Sequence, residues 1–70
     1  MTEINSIQAR ILTVLIKSGR FMSTREVAQK ASISWNTADA YLKKMLDNYW
    51  VEKKGRGTSY WKAIVDEDLL

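Results

Sequence analysis

The stretch Ser23-Thr24-Arg25-Glu26-Val27-Ala28-Gln29-Lys30-Ala31-Ser32-Ile33-Ser34-Trp35-Asn36-Thr37-Ala38 decides how this chain folds. It opens with a serine followed three residues later by a glutamate, the pattern in which two side chains each satisfy a backbone donor at a helix start. A helix from Thr24 to about Ala31 follows. Its Val27, Ala28 and Ala31 form an inner face of small residues that lets another helix approach closely. Ser32-Ile33-Ser34 makes a short turn with Ile33 as its apolar plug. Ser34 is then placed to cap a third helix, from Trp35 to about Asn48. On that helix Ala38, Leu42, Met45 and Tyr49 share one face, with Tyr41 and Leu46 beside it. The opposite face carries Asn36, Thr37, Ala40, Lys43, Lys44 and Asp47, short and polar at its start and cationic further along.

Upstream, a first helix spans about Glu3 to Ser18, with Thr2 as its N-cap and Gly19 just past its end. At about 100° per residue, Ile4, Ile7, Ile11, Val14 and Leu15 fall on one arc. Leu12, Ile16 and Ala9 form a second shoulder beside it. Two accounts fit so wide an arc: a small domain wraps the helix from two sides, or Leu12 and Ile16 belong to a dimer contact. Arg20-Phe21-Met22 is too short for a helix and fits a minimal strand or extended link between the first two helices.

Downstream, Trp50-Val51-Glu52-Lys53-Lys54 and Ser59-Tyr60-Trp61-Lys62-Ala63-Ile64 are strand-like runs rich in β-branched and aromatic residues. Gly55-Arg56-Gly57-Thr58 between them supplies the positive φ that a hairpin turn needs. Both parities of the second strand carry apolar residues, so the pattern leaves open whether Tyr60 or Trp61 faces the core. Asp66 to Leu70 is an acidic and apolar tail, set apart from a single domain over residues 1–65. It either frays or folds Leu69 and Leu70 back onto the first helix, where they would join the dimer contact.

Composition narrows the function. The chain has 70 residues and neither cysteine nor histidine nor proline. A general base or nucleophile would have to come from carboxylates or Ser/Lys pairs. The carboxylates are scattered over expected surfaces, and no glycine-rich phosphate loop follows a strand. The Asp66-Glu67-Asp68 cluster fits a solvated tail better than a metal site. Neither catalysis nor a cofactor is expected, and no small-molecule ligand is evident. No apolar run exceeds three residues, which excludes a membrane span in the sequence, and the N-terminus lacks a secretory pattern. An intracellular, cytoplasmic module is expected. Eleven Lys and Arg face eight Asp and Glu, but three of those acids lie in the last five residues. Between Lys17 and Lys62 ten basic residues face four acidic ones. That balance favours a polyanionic partner.

The order helix, short strand, helix, three-residue turn, helix and hairpin resembles the winged helix-turn-helix family from about Ser23 to Ile64. Ser23-Thr24-Arg25-Glu26-Val27-Ala28 looks like the first helix of its motif, and Ala31-Ser32-Ile33-Ser34 like its turn. Thr37-Ala38 and Tyr41-Leu42-Lys43-Lys44-Met45 resemble its recognition helix, and Val51 to Gly57 the beginning of its wing. Ser32 stands where the family often has glycine, and Tyr49 stands at the usual post-helix glycine. Asn48 or a longer final turn is expected to supply the left-handed residue instead. The Gly57-Thr58-Ser59-Tyr60-Trp61-Lys62 run also looks like the wing of Z-DNA-binding winged helices. The positions matching their recognition residues, Trp35, Asp39 and Lys43, do not agree with that subfamily.

The resemblance implies an α+β winged helix: a three-helix core with a helix-turn-helix, a C-terminal hairpin wing and a short strand between the first two helices. It implies a sequence-specific binder of double-stranded DNA that regulates transcription, small in the manner of prokaryotic, archaeal, plasmid or viral regulators. A homodimer is expected, because two recognition helices on a pseudo-palindrome double the base contacts. The recognition helix would read bases through Asn36, Thr37, Ala40 and Lys43 in the major groove. Ser23, Thr24, Arg25, Ser34, Trp35 and Lys44 would meet the phosphate backbone. Lys53, Lys54, Arg56 and Thr58 on the wing would follow the backbone, with Arg56 in an adjacent minor groove. Trp35 sits at the border of the apolar face and is expected to pack inward, stacking on a sugar or thymine methyl being its other reading. Asp39 is unfavourable near phosphate; a surface ion pair is expected of it, acceptance from a cytosine amine being its other reading. Protein binding is the competing function, since Trp35, Trp50, Tyr60 and Trp61 would make an aromatic patch; DNA binding requires Lys43, Lys44, Lys53, Lys54 and Arg56 on one face, whereas protein binding would tolerate charge reversal there. Single-stranded nucleic acid is a weaker third, with few aromatics outside the expected core.

Overall fold

Asn5, rather than Thr2, starts the first helix in the computed structural model, which describes residues 4–70. The Asn5 side chain accepts from the Gln8 N–H at 2.8 Å, and the Asn5 N–H donates to Gln8 Oε1 at 3.1 Å. This reciprocal cap sets α1 at Ser6–Ser18, shorter than the sequence suggests; Thr2 and Glu3 lie outside the described residues. Gly19 closes it with φ of 63°.

Next come β1 (Met22–Ser23), α2 (Thr24–Ala31) and α3 (Trp35–Asp47). The hairpin strands are β2 (Val51–Lys54) and β3 (Tyr60–Ala63), and a 3-10 turn follows at Glu67–Leu69. The short strand between the helices is real but starts two residues later than Arg20–Met22 and ends one later, so Ser23 both ends β1 and caps α2. The three strands form one antiparallel sheet in the order β1-β3-β2. The helices pack on one side of it, around a core that includes Ile11, Leu15, Val27, Ala38, Leu42, Met45 and Trp61.

The wide apolar arc of α1 has a bland cause at one position. α2 and β3 both pack against the helix, and Leu12 is fully buried. Leu12 therefore has no surface to offer a second copy. Ile16 stays partly buried against the core. The tail folds back: Asp66 caps its turn, Leu69 packs on the core, and Leu70 remains half-exposed.

The two family glycines missing from the sequence are replaced in conformation. Ser32 takes φ of 57° and Tyr49 takes φ of 62°, both left-handed. After α3 the Tyr49 N–H bonds to the Leu46 carbonyl at 3.0 Å and the Trp50 N–H to the Met45 carbonyl at 2.9 Å. This double bond pattern terminates a helix through a left-handed residue one position past the cap. Asn48 stays right-handed, so Tyr49 itself supplies the turn. Its reversed backbone swings the ring out of the core face, leaving it 80% exposed. A left-handed non-glycine residue costs about 1–2 kcal/mol, of which the extra chain entropy of glycine returns part. Tyr49→Gly is therefore expected to stabilise the domain by about 0.5–1 kcal/mol in urea unfolding. A loss of stability would mean that the exposed ring makes a contact worth more than the strain.

Parity on β3 is settled by its neighbours. Met22, Trp61, Lys53 are cross-strand partners on one face, and Val51 pairs with Ala63 on that same face. Trp61 is fully buried there, and Tyr60 faces out. The indole Nε1–H of Trp61 donates to Thr24 Oγ1 at 2.8 Å, a buried bond joining the sheet to the first turn of α2.

Candidate nucleic-acid interface

The first turn of α2, one side of α3 and the wing loop converge on an open cleft of about 650 Å³. Each wall has a local reason. Ser23 accepts from the Glu26 N–H at 3.1 Å, which caps α2 and turns its first N–H groups toward the cleft. The glutamate does not complete a reciprocal box. It turns to Arg20, whose guanidinium donates to Glu26 Oε2 at 3.0 Å. That hydrogen bond holds the Glu26 carboxyl below the usual carboxylate range.

Ser34 caps α3 by accepting from the Thr37 N–H at 3.1 Å, and its own hydroxyl donates to Thr37 Oγ1 at 2.8 Å. Thr37 is consequently half-buried and tied into the cap, so it is less free for base reading than expected. Asn36, Ala40, Lys43 and Lys44 are exposed along α3. Lys44 lies 5.8 Å from the Tyr41 ring centroid. Trp35 does not pack inward: it is 52% exposed and lines the cleft at the start of α3. The core face of α3 begins at Ala38, and at the first position of the helix no layer lies above the indole to cover it.

Arg25 is exposed on the cleft wall. Thr24 also lines the cleft but is buried, its Oγ1 accepting from the Trp61 indole N–H.

The wing departs from expectation in one respect. Lys53 and Lys54 are successive strand residues and must point to opposite faces of the hairpin. Lys53 lies 5.6 Å from the Trp61 ring centroid and Lys54 4.1 Å from that of Phe21 on the other face. The five cations of α3 and the wing therefore do not share one face. Arg56 is exposed between Gly55 and Gly57, which take φ of 109° and 77°. A Cβ at Gly55 would collide with the Thr58 carbonyl oxygen, so glycine is obligatory there. Thr58, Ser59 and Tyr60 complete the cleft.

Glu26, Asp39, Gly57, Ser59 and Tyr60 also line the cleft and were not among the expected contacts. Tyr60 follows from the burial of Trp61, which the strand pattern left undecided. Asp39 forms the expected ion pair, with Oδ2 3.0 Å from Lys43 Nζ, but inside the cleft rather than on a neutral surface. Among the described residues no three His, Cys, Asp or Glu side chains gather to hold a metal, and no helix is long and apolar enough to cross a membrane.

No known sequence family and no curated protein matches the chain. Solved structures do. The PcaV transcriptional regulator from Streptomyces coelicolor superposes with a TM-score of 0.79 at 18% identity, over 96% of this chain and 49% of that one. Lactococcus lactis ZitR in complex with DNA gives 0.73 at 20% identity, over 89% and 44%. A homodimeric winged helix-turn-helix DNA-binding domain from Mycobacterium bovis, a possible ArsR-family regulator, gives 0.75 at 23%, over 93% and 58%. Part of human N-acetylserotonin methyltransferase matches as well, at 12% identity over 83% of this chain and 17% of the enzyme, with a TM-score of 0.73. The chain spans about half the length of the solved regulators it matches. The likeness is one of architecture, three helices with a three-stranded antiparallel sheet: the chain has the α+β winged-helix fold.

Proposed function

We propose that this chain binds double-stranded DNA sequence-specifically and serves as the DNA-binding domain of a transcriptional regulator, acting by binding and not by catalysis. One observation carries the reading: the capped N-terminus of α2 with Arg25, the Trp35, Asp39 and Lys43 side of α3 and the wing residues Gly57 to Tyr60 surround a single cleft, while Asn36, Ala40, Lys44 and Arg56 are exposed outside its lining. An α-helix fits the major groove, and helix N-termini and exposed cations suit phosphate. In this arrangement Asn36, Ala40 and Lys43 face base edges, Arg25 and the α2 N-terminus hold the backbone, and Arg56 follows the wing to the minor groove. The solved complex of ZitR with DNA is consistent with this reading. The cytoplasm, or the nucleoid of a prokaryote or host cell, is the setting such a partner requires.

A homodimer belongs to the same proposal, and the M. bovis domain of this fold is homodimeric. With Leu12 buried, the surface available is Ile16 and Leu70, which line a shallow groove of about 320 Å³ beside Thr13 and Lys17. Ile16→Glu should then leave a monomer in analytical ultracentrifugation with a two-half-site duplex; a wild type that never exceeds one copy per duplex removes the dimer.

Fluorescence anisotropy against a random duplex tests the partner. Neutralising several phosphates predicts an affinity that falls roughly tenfold or more between about 50 and 200 mM salt. Absence of binding at the low end would leave the basic surface merely solvated. Protein binding would then be the better reading, with the exposed Trp35, Tyr49 and Ile64 as its apolar contacts.

A further inference from the structure

The charges lining the cleft do not all favour an anion. Glu26 lines it paired to Arg20, and Arg25 has no carboxylate partner among the described residues. Asp39 is different. Its side chain is only 20% exposed, so the carboxylate is held in the wall, while its partner Lys43 is 65% exposed. The two lie one helical turn apart on the side of α3 that meets the cleft. A helix that merely gathered phosphate would gain from an uncharged residue at position 39. The carboxylate repels every phosphate that Lys43 attracts, at nearly the same distance.

That penalty makes sense if the pair works as a unit. A phosphate oxygen carries charge and only accepts hydrogen bonds. Base edges in the major groove are neutral and set donors beside acceptors, the amino groups of cytosine and adenine next to carbonyl and N7 atoms. An ammonium donor 3.0 Å from a carboxylate acceptor matches such an edge and mismatches the backbone. Resting on the DNA-binding reading above, we propose that Asp39 is a specificity-determining residue. It holds Lys43 off the phosphate backbone and reserves it for base edges, where its own carboxylate accepts from an amino group.

The test compares wild type, Asp39→Asn and Asp47→Asn on two duplexes, one of random sequence and one enriched from a random pool by the wild-type protein. Asp47 is exposed on the same helix and does not line the cleft, so its variant reads the effect of losing any one negative charge. Asp39→Asn should bind the random duplex about three- to tenfold more tightly at about 100 mM salt, with a salt slope steeper by about one. The enriched duplex should gain nothing or lose, so the preference for it drops about tenfold, within the range of one base contact. Asp47→Asn should move both duplexes alike and by less. In a Lys43→Gln background the Asp39→Asn effect should shrink to the Asp47→Asn level, and Asp39→Glu should restore the wild-type preference. An unchanged preference in Asp39→Asn overturns the proposal. So does an effect that persists without the lysine, or a wild type for which the enriched duplex is no better than the random one. Failure of wild type to bind any duplex at low salt is a separate result, which removes the DNA-binding reading and this proposal together.

Discussion

Trp61→Ala is expected to unfold the domain at room temperature. Truncating a buried tryptophan costs about 3–5 kcal/mol, through lost transfer energy and the cavity left behind. A domain of this size has a total stability of about 3–5 kcal/mol from its single core. Trp61 is the largest fully buried side chain, and it sits on the central strand of the sheet. Its loss also strands the Thr24 hydroxyl, whose bond to the indole joins the sheet to α2. The measurement is a circular-dichroism thermal melt. A cooperative transition within about 1 kcal/mol of wild type would show that the core closes over the gap, contrary to its packing. Thr24→Val isolates the hydrogen bond and should cost about 1–3 kcal/mol, because the buried N–H keeps its desolvation and loses its acceptor.

The largest functional effect is expected from Lys43→Glu combined with Arg56→Glu. Lys43 is exposed on α3, and Arg56 is exposed on a glycine-flanked turn. Reversing both replaces two attractive groups with repulsive ones and puts a second carboxylate next to Asp39. Affinity for a random duplex should fall by about a hundredfold or more at about 50 mM salt, with the salt slope flatter by about one, the phosphate contact of Arg56. Lys30→Glu is the matched control. It makes the same kind of charge change at an exposed residue on neither α3 nor the wing. If that single reversal weakens binding per charge as much as the pair does, the effect is one of net charge. The face formed by α3 and the wing would then not be the interface.

Much of the fold is written in local pattern. The caps Ser23 and Ser34, the Ile33 plug and the Gly55 and Gly57 turn all appear where the residues imply them. Each depends on neighbours within a few residues, which is why spacing alone reveals it. Cap competition is less legible. Asn5 displaces an expected start at Thr2–Glu3 because Gln8, three residues on, returns the bond. Glu26 abandons the reciprocal half of its box because Arg20, outside the helix, is the stronger partner.

The candidate interface divides along the same line. That α3 presents Asn36, Ala40, Lys43 and Lys44 to solvent follows from its 3.6-residue period, and the structure keeps them exposed. Lys53 and Lys54 were grouped by charge although strand alternation already separates them, so that part was readable and misread. Trp35 and Tyr49 look like core residues in any apolar count. One lies a turn ahead of the packed face, and the other is reversed by a left-handed backbone.

By itself, then, the sequence determined which segments are helices and strands, where the helices stop to within a residue, and which helix face is polar, because those properties depend on contacts a few residues apart. Only the tertiary structure decided that Leu12 belongs to the core, that Trp61 rather than Tyr60 turns inward, and that Asp39 and Lys43 share a cleft with Arg25 and the wing. Those outcomes rest on what lies across from each side chain, thirty or more residues away in the chain for Thr24 and Trp61, and no periodicity encodes that opposite surface.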